Sequence, residues 1–151
     1  MLSIGEINNC MKYARVDLRK TNYSLIPTYK LIKSPNIELL DTIFKQYCDY
    51  KRFESVVPIF ENQYRDVNVD IFGYYDDQKL VAFTMVRRLD ATNIENMQFA
   101  WDYANPKLRL GIESLKNECA HYKQYGYRYM YLGLADDYKS ELEGYEIVGP
   151  L

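Results

Sequence analysis

The spacing of apolar positions predicts the first elements between residues 94 and 133. Residues 97–103 are apolar and aromatic enough for a buried strand, and the run 127–132 predicts a second one. Between them Leu108, Ile112, Leu115, Cys119 and Tyr122 recur at spacings of four, three, four and three. That is one face of a helix, with Glu113, Lys116, Asn117, Lys123 and Gln124 off it. Asn105-Pro106 marks a turn before this helix, and Gly126 stops it where a left-handed residue costs least. A strand joined through a helix to a second strand of the same sheet is normally a right-handed parallel crossover. In such a unit the loop between strand and helix, here 105–111, is the usual ligand position.

Upstream, period two takes over. Residues 67–75, 80–89 and 94–103 read as three strands separated by the polar turns 76–79 and 90–93, an antiparallel meander. Before it, Ser34 caps a helix with Pro35 at its first position, and Leu39, Leu40, Ile43, Phe44 and Tyr47 form the buried stripe. Residues 23–31, around Pro27, predict an edge strand. Residues 51–67 have no clean period, with a short apolar patch at Val56, Val57, Ile59 and Phe60. Residues 1–21 predict nothing beyond a short helix, and 136–142 and 145–148 a helical turn and a short strand. The order is helix, three-stranded meander, helix, parallel strand: an α/β chain with a mixed, mostly antiparallel sheet, expected to form a single domain over 1–151.

Composition narrows the function classes. With 151 residues, 48% hydrophobic and 26% charged, the chain has the make-up of a soluble globular protein. A net charge of −2 argues against a dedicated nucleic-acid surface, although basic clusters occur at Lys12, Arg15, Arg19 and Lys20 and at Arg87-Arg88. Cys10, Cys48 and Cys119 are odd in number and form no C-x-x-C pair, which excludes a disulfide framework and a zinc knuckle. Cys48 and Cys119 fall on apolar helix faces, and no apolar run approaches a membrane span, so a cytoplasmic protein with no metal and no membrane partner is expected. The 16 tyrosines, several alternating in strands as at Tyr127, Tyr129 and Tyr131, predict half-buried sheet faces or a pocket lined with phenols.

The series Tyr103, Pro106, Leu108, Leu110-Gly111, Ser114-Leu115, Tyr125-Gly126 and Tyr129-Met130-Tyr131-Leu132-Gly133 resembles the C-terminal domain of the aminoacyl-tRNA–protein transferases. These enzymes attach arginine or leucine to protein N-termini and are built on the GNAT acyltransferase fold. The likeness runs upstream through Asp70-Ile71-Phe72-Gly73-Tyr74, Asp76 to Lys79 and Leu80-Val81-Ala82-Phe83, and downstream to Tyr138-Lys139, covering about half the chain. The resemblance implies a GNAT-like sheet whose strands splay apart at the centre, where freed N–H groups stabilise an oxyanion.

By the same resemblance Phe99, Trp101 and Tyr103 line the acyl carbonyl, and Lys107, Arg109, Leu110 and Gly111 meet phosphate at the helix N-terminus. Tyr138 and Lys139 resemble a Tyr-Lys pair of the transferases, with Lys139 placed for a tRNA 3′ phosphate. Asp102, Glu113 and Tyr131 are the candidates to accept the proton of the attacking amine. The loop matches the coenzyme A pattern Q/R-x-x-G-x-G/A only at Gly111. Leu108 stands in place of Gln or Arg, and Glu113 brings a carboxylate where a pyrophosphate needs space. The transferases' Leu-x-Leu-Gly version agrees with Leu108-Arg109-Leu110-Gly111.

The residue-level alternative is that Gly111 merely lets helix and sheet pack closely. His121, the single histidine, falls off the apolar stripe and is expected to be exposed and inert. The chain is thus expected to be a shortened, stand-alone relative of the transferases' catalytic half. Its donor is aminoacyl-tRNA or acyl-CoA, and its acceptor an amine on a protein N-terminus or a small molecule. The competing readings are an N-acetyltransferase using acetyl-CoA and a non-catalytic adaptor. A V-shaped gap between strands 97–103 and 127–133, with a polar cavity, favours catalysis, and a continuous sheet filled by Tyr127, Tyr129 and Trp101 favours the adaptor.

Overall fold

A computed structural model describes residues 12–51, 61–102, 110–135 and 137–149. Its strands are β1 (Tyr13–Asp17), β2 (Tyr29–Leu31), β3 (Val69–Asp76), β4 (Lys79–Arg88), β5 (Asn93–Trp101), β6 (Tyr129–Leu134) and β7 (Tyr145–Ile147). The helices are α1 (Ile37–Lys51), the single turn α2 (Glu61–Tyr64) and α3 (Leu110–Gln124). One sheet runs in the order β2-β3-β4-β5-β6-β1-β7, and its only parallel pair among the described residues is β5 with β6.

The meander and the crossover form as the periodicity predicts. β3, β4 and β5 pair antiparallel in succession, and α3 carries the chain from β5 to its parallel neighbour β6. Alternation sends the two halves of each strand to different cores. On one face Phe72, Tyr74, Val86, Ile94, Met130 and Val16 pack against Leu115, Cys119 and Tyr122 of α3. On the other, Ile71, Phe83, Met85 and Ala100 meet Leu40, Ile43 and Phe44 of α1 and Tyr64 of α2. Cys119 is fully buried and Cys48 half-buried against the α1 core, both as free thiols.

Three departures from the sequence pattern have physical causes. First, the short helix expected within residues 1–21 is confined, among the described residues, to the 3-10 turn Leu18–Lys20, and residues 13–17 form a strand between β6 and β7. Only Ala14 and Val16 face the core, while Tyr13, Arg15 and Asp17 face away, so the strand lacks an apolar run. Second, the expected edge strand at 23–31 is strand only at Tyr29–Leu31. The segment before it crosses α3, with Ile26 N–H donating to Asn117 Oδ1 (2.9 Å) and Lys123 Nζ reaching the Thr21 carbonyl.

Third, that crossing widens the buried arc of α3. Asn117 and His121, both expected outside the stripe, are 0% and 7% exposed. His121 lies edge-on to Phe72 (5.0 Å between centroids), with Nδ1 3.2 Å from the Tyr29 hydroxyl, and burial pushes its pKa down. The apolar patch expected at 56–60 lies outside the described residues, as do residues 1–11.

β7 closes the sheet through a tight approach. Gly144, at φ +71°, passes so close to the Asp17 backbone that an added Cβ would stand 2.4 Å from the Asp17 carbonyl oxygen. Its own carbonyl accepts from Asp17 N–H at 2.9 Å. Asp17 is 2% exposed, and Arg19 holds its carboxyl down at about 2 through bonds of 3.0 and 2.9 Å. Gly144→Ala therefore combines a left-handed penalty with a backbone clash and should lower the unfolding free energy by about 2 kcal/mol or more. Urea denaturation checks this against Gly111→Ala. Nothing lies within 4 Å of a Cβ at Gly111, so that control should show no loss.

Candidate functional site

β5 and β6 stay in register for three residue pairs, Asn93↔Tyr129, Ile94↔Met130 and Glu95↔Tyr131, and then part. Beyond that point β5 continues to Trp101 along β4, and β6 continues to Leu134 along β1. A bulge helps to turn β5 away. Met85 pairs with Gln98 and Val86 with Asn96, which leaves Met97 as the extra residue. The sheet is therefore not continuous between residues 96–101 and 132–134: the expected gap is present, while the described cavity opens elsewhere, beside β2.

The first residue past the fork is anchored from beneath. Asn96 Nδ2 donates to Glu118 Oε1 of α3 at 2.8 Å, and the other Glu118 oxygen shares a very short hydrogen bond with the Tyr74 hydroxyl. Asn117 Nδ2 approaches the same hydroxyl at 3.3 Å, and the Ser114 carbonyl oxygen is 3.2 Å from it. Glu118 is 0% exposed and faces no cation among the described residues, so desolvation pushes its pKa up to about 8. Thr84 stands close enough to favour the ionised form, yet its buried Oγ1 makes no hydrogen bond of good geometry.

With Glu118 protonated every partner of Tyr74 is answered. The acid O–H donates to the phenol, the phenol O–H donates to Ser114, and Asn117 donates to the phenol oxygen. Nothing in the apolar periodicity of α3 singles out Glu118. The available signal was a glutamate adjacent to Cys119 on the buried stripe.

The predicted site residues distribute unevenly around the gap. Tyr131 occupies the last paired position, and its phenol oxygen accepts from Arg15 Nη1 at 3.3 Å. Arg15 also bonds Glu146 (3.1 Å) and lies 3.8 Å over the Tyr129 ring. Phe99 and Trp101 are half-buried on the departing part of β5, Phe99 edge-on to Tyr47 at 6.1 Å. Asp102 lies just past β5, where it pairs with Lys79 (3.5 Å) and its N–H donates to Val81 at 2.6 Å.

In the first turn of α3, Leu110 is a core residue at 5% exposure, and Glu113 is 43% exposed and pairs with Lys116 at 3.6 Å. Among the described residues no atom lies within 4 Å of where a Gly111 Cβ would be, so close helix–sheet packing against them does not account for this glycine. Lys139, in the 3-10 turn Asp137–Glu141 that also holds Tyr138, reaches the Leu132 carbonyl with Nζ at 3.4 Å. That carbonyl belongs to the first residue of β6 past the fork. Tyr103, Lys107 and Arg109 lie outside the described residues.

A cavity of about 600 Å³ opens elsewhere, between β2 and α2, lined by Ile32, Ser34, Pro35, Tyr64, Arg65 and Val69, and holds none of these residues. Among the described residues no group of three His, Cys, Asp or Glu side chains is arranged for a metal, and no helix is long and apolar enough to cross a membrane.

Comparison with solved structures places this geometry in the GNAT fold. The chain is similar to a putative GNAT-family acetyltransferase from Novosphingobium aromaticivorans, with TM-score 0.65 and 12% identity over 91% of this chain and 60% of that one. It is also similar to the C-terminal domain of a putative lysylphosphatidylglycerol synthetase from Agrobacterium fabrum, with TM-score 0.64 and 14% identity over 83% of this chain and 47% of that one. A third is L-PGS from Bacillus licheniformis, with TM-score 0.59, 16% identity and coverage of 83% and 46%. The chain thus spans about half the length of the two synthetase structures. No protein-family model and no curated protein sequence matches it.

The buried carboxyl gives a pH signature. A carboxyl raised from 4.5 to about 8 lets the folded state hold a proton that the unfolded chain has released. Its contribution is complete below pH 4.5 and is lost as pH rises through 8. Glu118→Gln keeps a donor for Tyr74 and an acceptor for Asn96 without titrating. Between pH 5 and 9 the parent should lose several degrees of Tm more than the amide variant. Parallel profiles would contradict a neutral Glu118.

Proposed function

We propose that this chain transfers an aminoacyl or acyl group from an activated ester to an amine, with the fork between β5 and β6 as the reaction site. The observation that carries the reading is the parting of the two strands after Glu95 and Tyr131, at a point fixed by Asn96 and Glu118. Backbone N–H groups of β5 past the fork have no partner strand in β6 and can stabilise the oxyanion of a carbonyl under attack. The open space over Gly111 in the first turn of α3 accommodates the donor's phosphate end.

The amine nitrogen attacks the donor carbonyl carbon, a C–N bond forms, and the bond to the leaving oxygen or sulfur breaks. One proton leaves the amine and one enters the leaving group. Tyr131 can relay it. Its oxygen already accepts from Arg15, so its own O–H is free to donate to the leaving atom, and it regains the amine's proton afterwards. Asp102 is tied to Lys79, and Glu113 sits on the exposed side of α3, so both serve the fold or the donor more readily than this proton.

An aminoacyl ester of tRNA is the favoured donor, in keeping with the resemblance to arginyl and leucyl transferases. Glu113 opposes a pyrophosphate in the first turn of α3. Lys139 lies beside the open end of β6, where a 3′-terminal phosphate would pass. The acetyltransferase reading keeps the same fork and exchanges the donor for acetyl-CoA.

Mass-spectrometric detection of acylated amine, with a charged tRNA mixture in one arm and acetyl-CoA in the other, names the donor. The donor should also raise Tm, by an amount equivalent to about 2.7 kcal/mol at a hundredfold excess over Kd. Gly111→Trp, with folding verified by its Tm, should abolish binding and product together, since a Cβ at this position meets no described atom and the ring fills the space assigned to the donor. Undiminished binding by the folded variant would remove the donor from α3, and absence of product in both arms would remove the transferase reading.

A further inference from the structure

The last row of the sheet before the fork carries four charged residues, Arg87, Glu95, Arg15 and Glu146. Val69 pairs with Arg87, Arg87 with Glu95, Glu95 with Tyr131, Tyr131 with Arg15, and Arg15 with Glu146, so one cross-strand line runs through six strands. All six share the face opposite α3, because their sequence neighbours Val86, Ile94, Met130, Val16 and Tyr145 pack into the α3 core. One end of the line is closed, since Arg15 bonds both Glu146 and Tyr131.

The middle is not closed. Arg87 and Glu95 are direct cross-strand neighbours of opposite charge and both half-buried, yet they form no ion pair with each other or with any other described residue. Side chains opposite one another on an antiparallel pair have Cβ atoms about 5 Å apart, and opposite charges there ordinarily join.

We propose that Arg87 and Glu95 form the acceptor subsite, and that its ligand is a free α-amino acid. This rests on the transferase reading and gives it an acceptor class. Glu95 holds the ammonium group beside Tyr131 at the root of the fork; the ammonium gives up one proton to solvent by way of the Glu95 carboxylate, and the neutral nitrogen then reaches a carbonyl in the gap. Arg87 holds the carboxylate in the bidentate manner of guanidinium groups. A polypeptide N-terminus offers an amine but no neighbouring carboxylate and would leave Arg87 unanswered. The zwitterion answers both charges across one strand spacing.

The test measures binding without any donor. Each protein amino acid, its decarboxylated amine and its amino-acid amide is titrated by calorimetry against the parent, Arg87→Gln and Glu95→Gln, with Tm confirming that each variant folds. At least one free amino acid should bind the parent, and its amine and amide about tenfold or more weakly. Arg87→Gln should bind the three forms alike, and Glu95→Gln should bind none of them measurably. Binding of the amide as tight as that of the amino acid would make a peptide N-terminus the acceptor and overturn the proposal. So would unchanged affinity in both variants, or no amino acid bound at millimolar concentration.

Donor binding and transfer to hydroxylamine, measured in parallel, separate the two claims. If they persist without amino-acid binding, only the acceptor assignment falls. If amino acids bind but no donor does, the transferase reading falls.

Discussion

The hydrogen bond from Asn96 to a buried Glu118 sets where this sheet divides. A carboxyl with no cation beside it among the described residues lies in the core as the neutral acid, and Glu118 meets this with a pKa pushed up to about 8, an O–H directed at the Tyr74 oxygen and a second oxygen that accepts from Asn96. The bond ties α3 to the first residue of β5 past its pairing with β6. The bulge at Met97 completes the turn away. Apart from Thr84 Oγ1, the groups of this buried network answer one another, which holds α3 and β5 in one geometry.

The fork joins three parts of the chain that are remote in sequence. α3 presents its N-terminal turn with open space over Gly111, β6 presents Tyr131 at the last paired position, and β1 supplies Arg15 to hold the phenol. On the face away from α3 the same row continues into Glu95 and Arg87. In the proposed transfer, donor and acceptor approach from opposite faces and meet in the gap, which keeps a bulky donor clear of the small amine.

Much of this architecture was legible in the sequence because its signals are local. The period-two runs of β3, β4 and β5 and the Leu115, Cys119, Tyr122 stripe give the meander and the crossover, and Gly126 marks the helix end. What escaped depends on distant partners. β1 is a strand because β6 and β7 bracket it, although only Ala14 and Val16 of its residues enter the core. Asn117 and His121 are buried because the segment 22–28 crosses α3, and no helical period predicts that cover. Of the proposed site, Tyr131 and the α3 N-terminus are singled out already by the resemblance. Glu118 and the Arg87–Glu95 pair are not, since they gain meaning only from register and burial.

Backbone amide shifts, followed by NMR during titration with acetyl-CoA and with a stable aminoacyl-adenosine analogue of a charged 3′ end, test the fork most directly. The account predicts perturbations concentrated at 96–101, at the first turn of α3 and at 131–134 for the donor that binds. Saturable shifts confined to the cavity between β2 and α2, or to the outer strands, would place the ligand elsewhere and contradict the assignment of the fork.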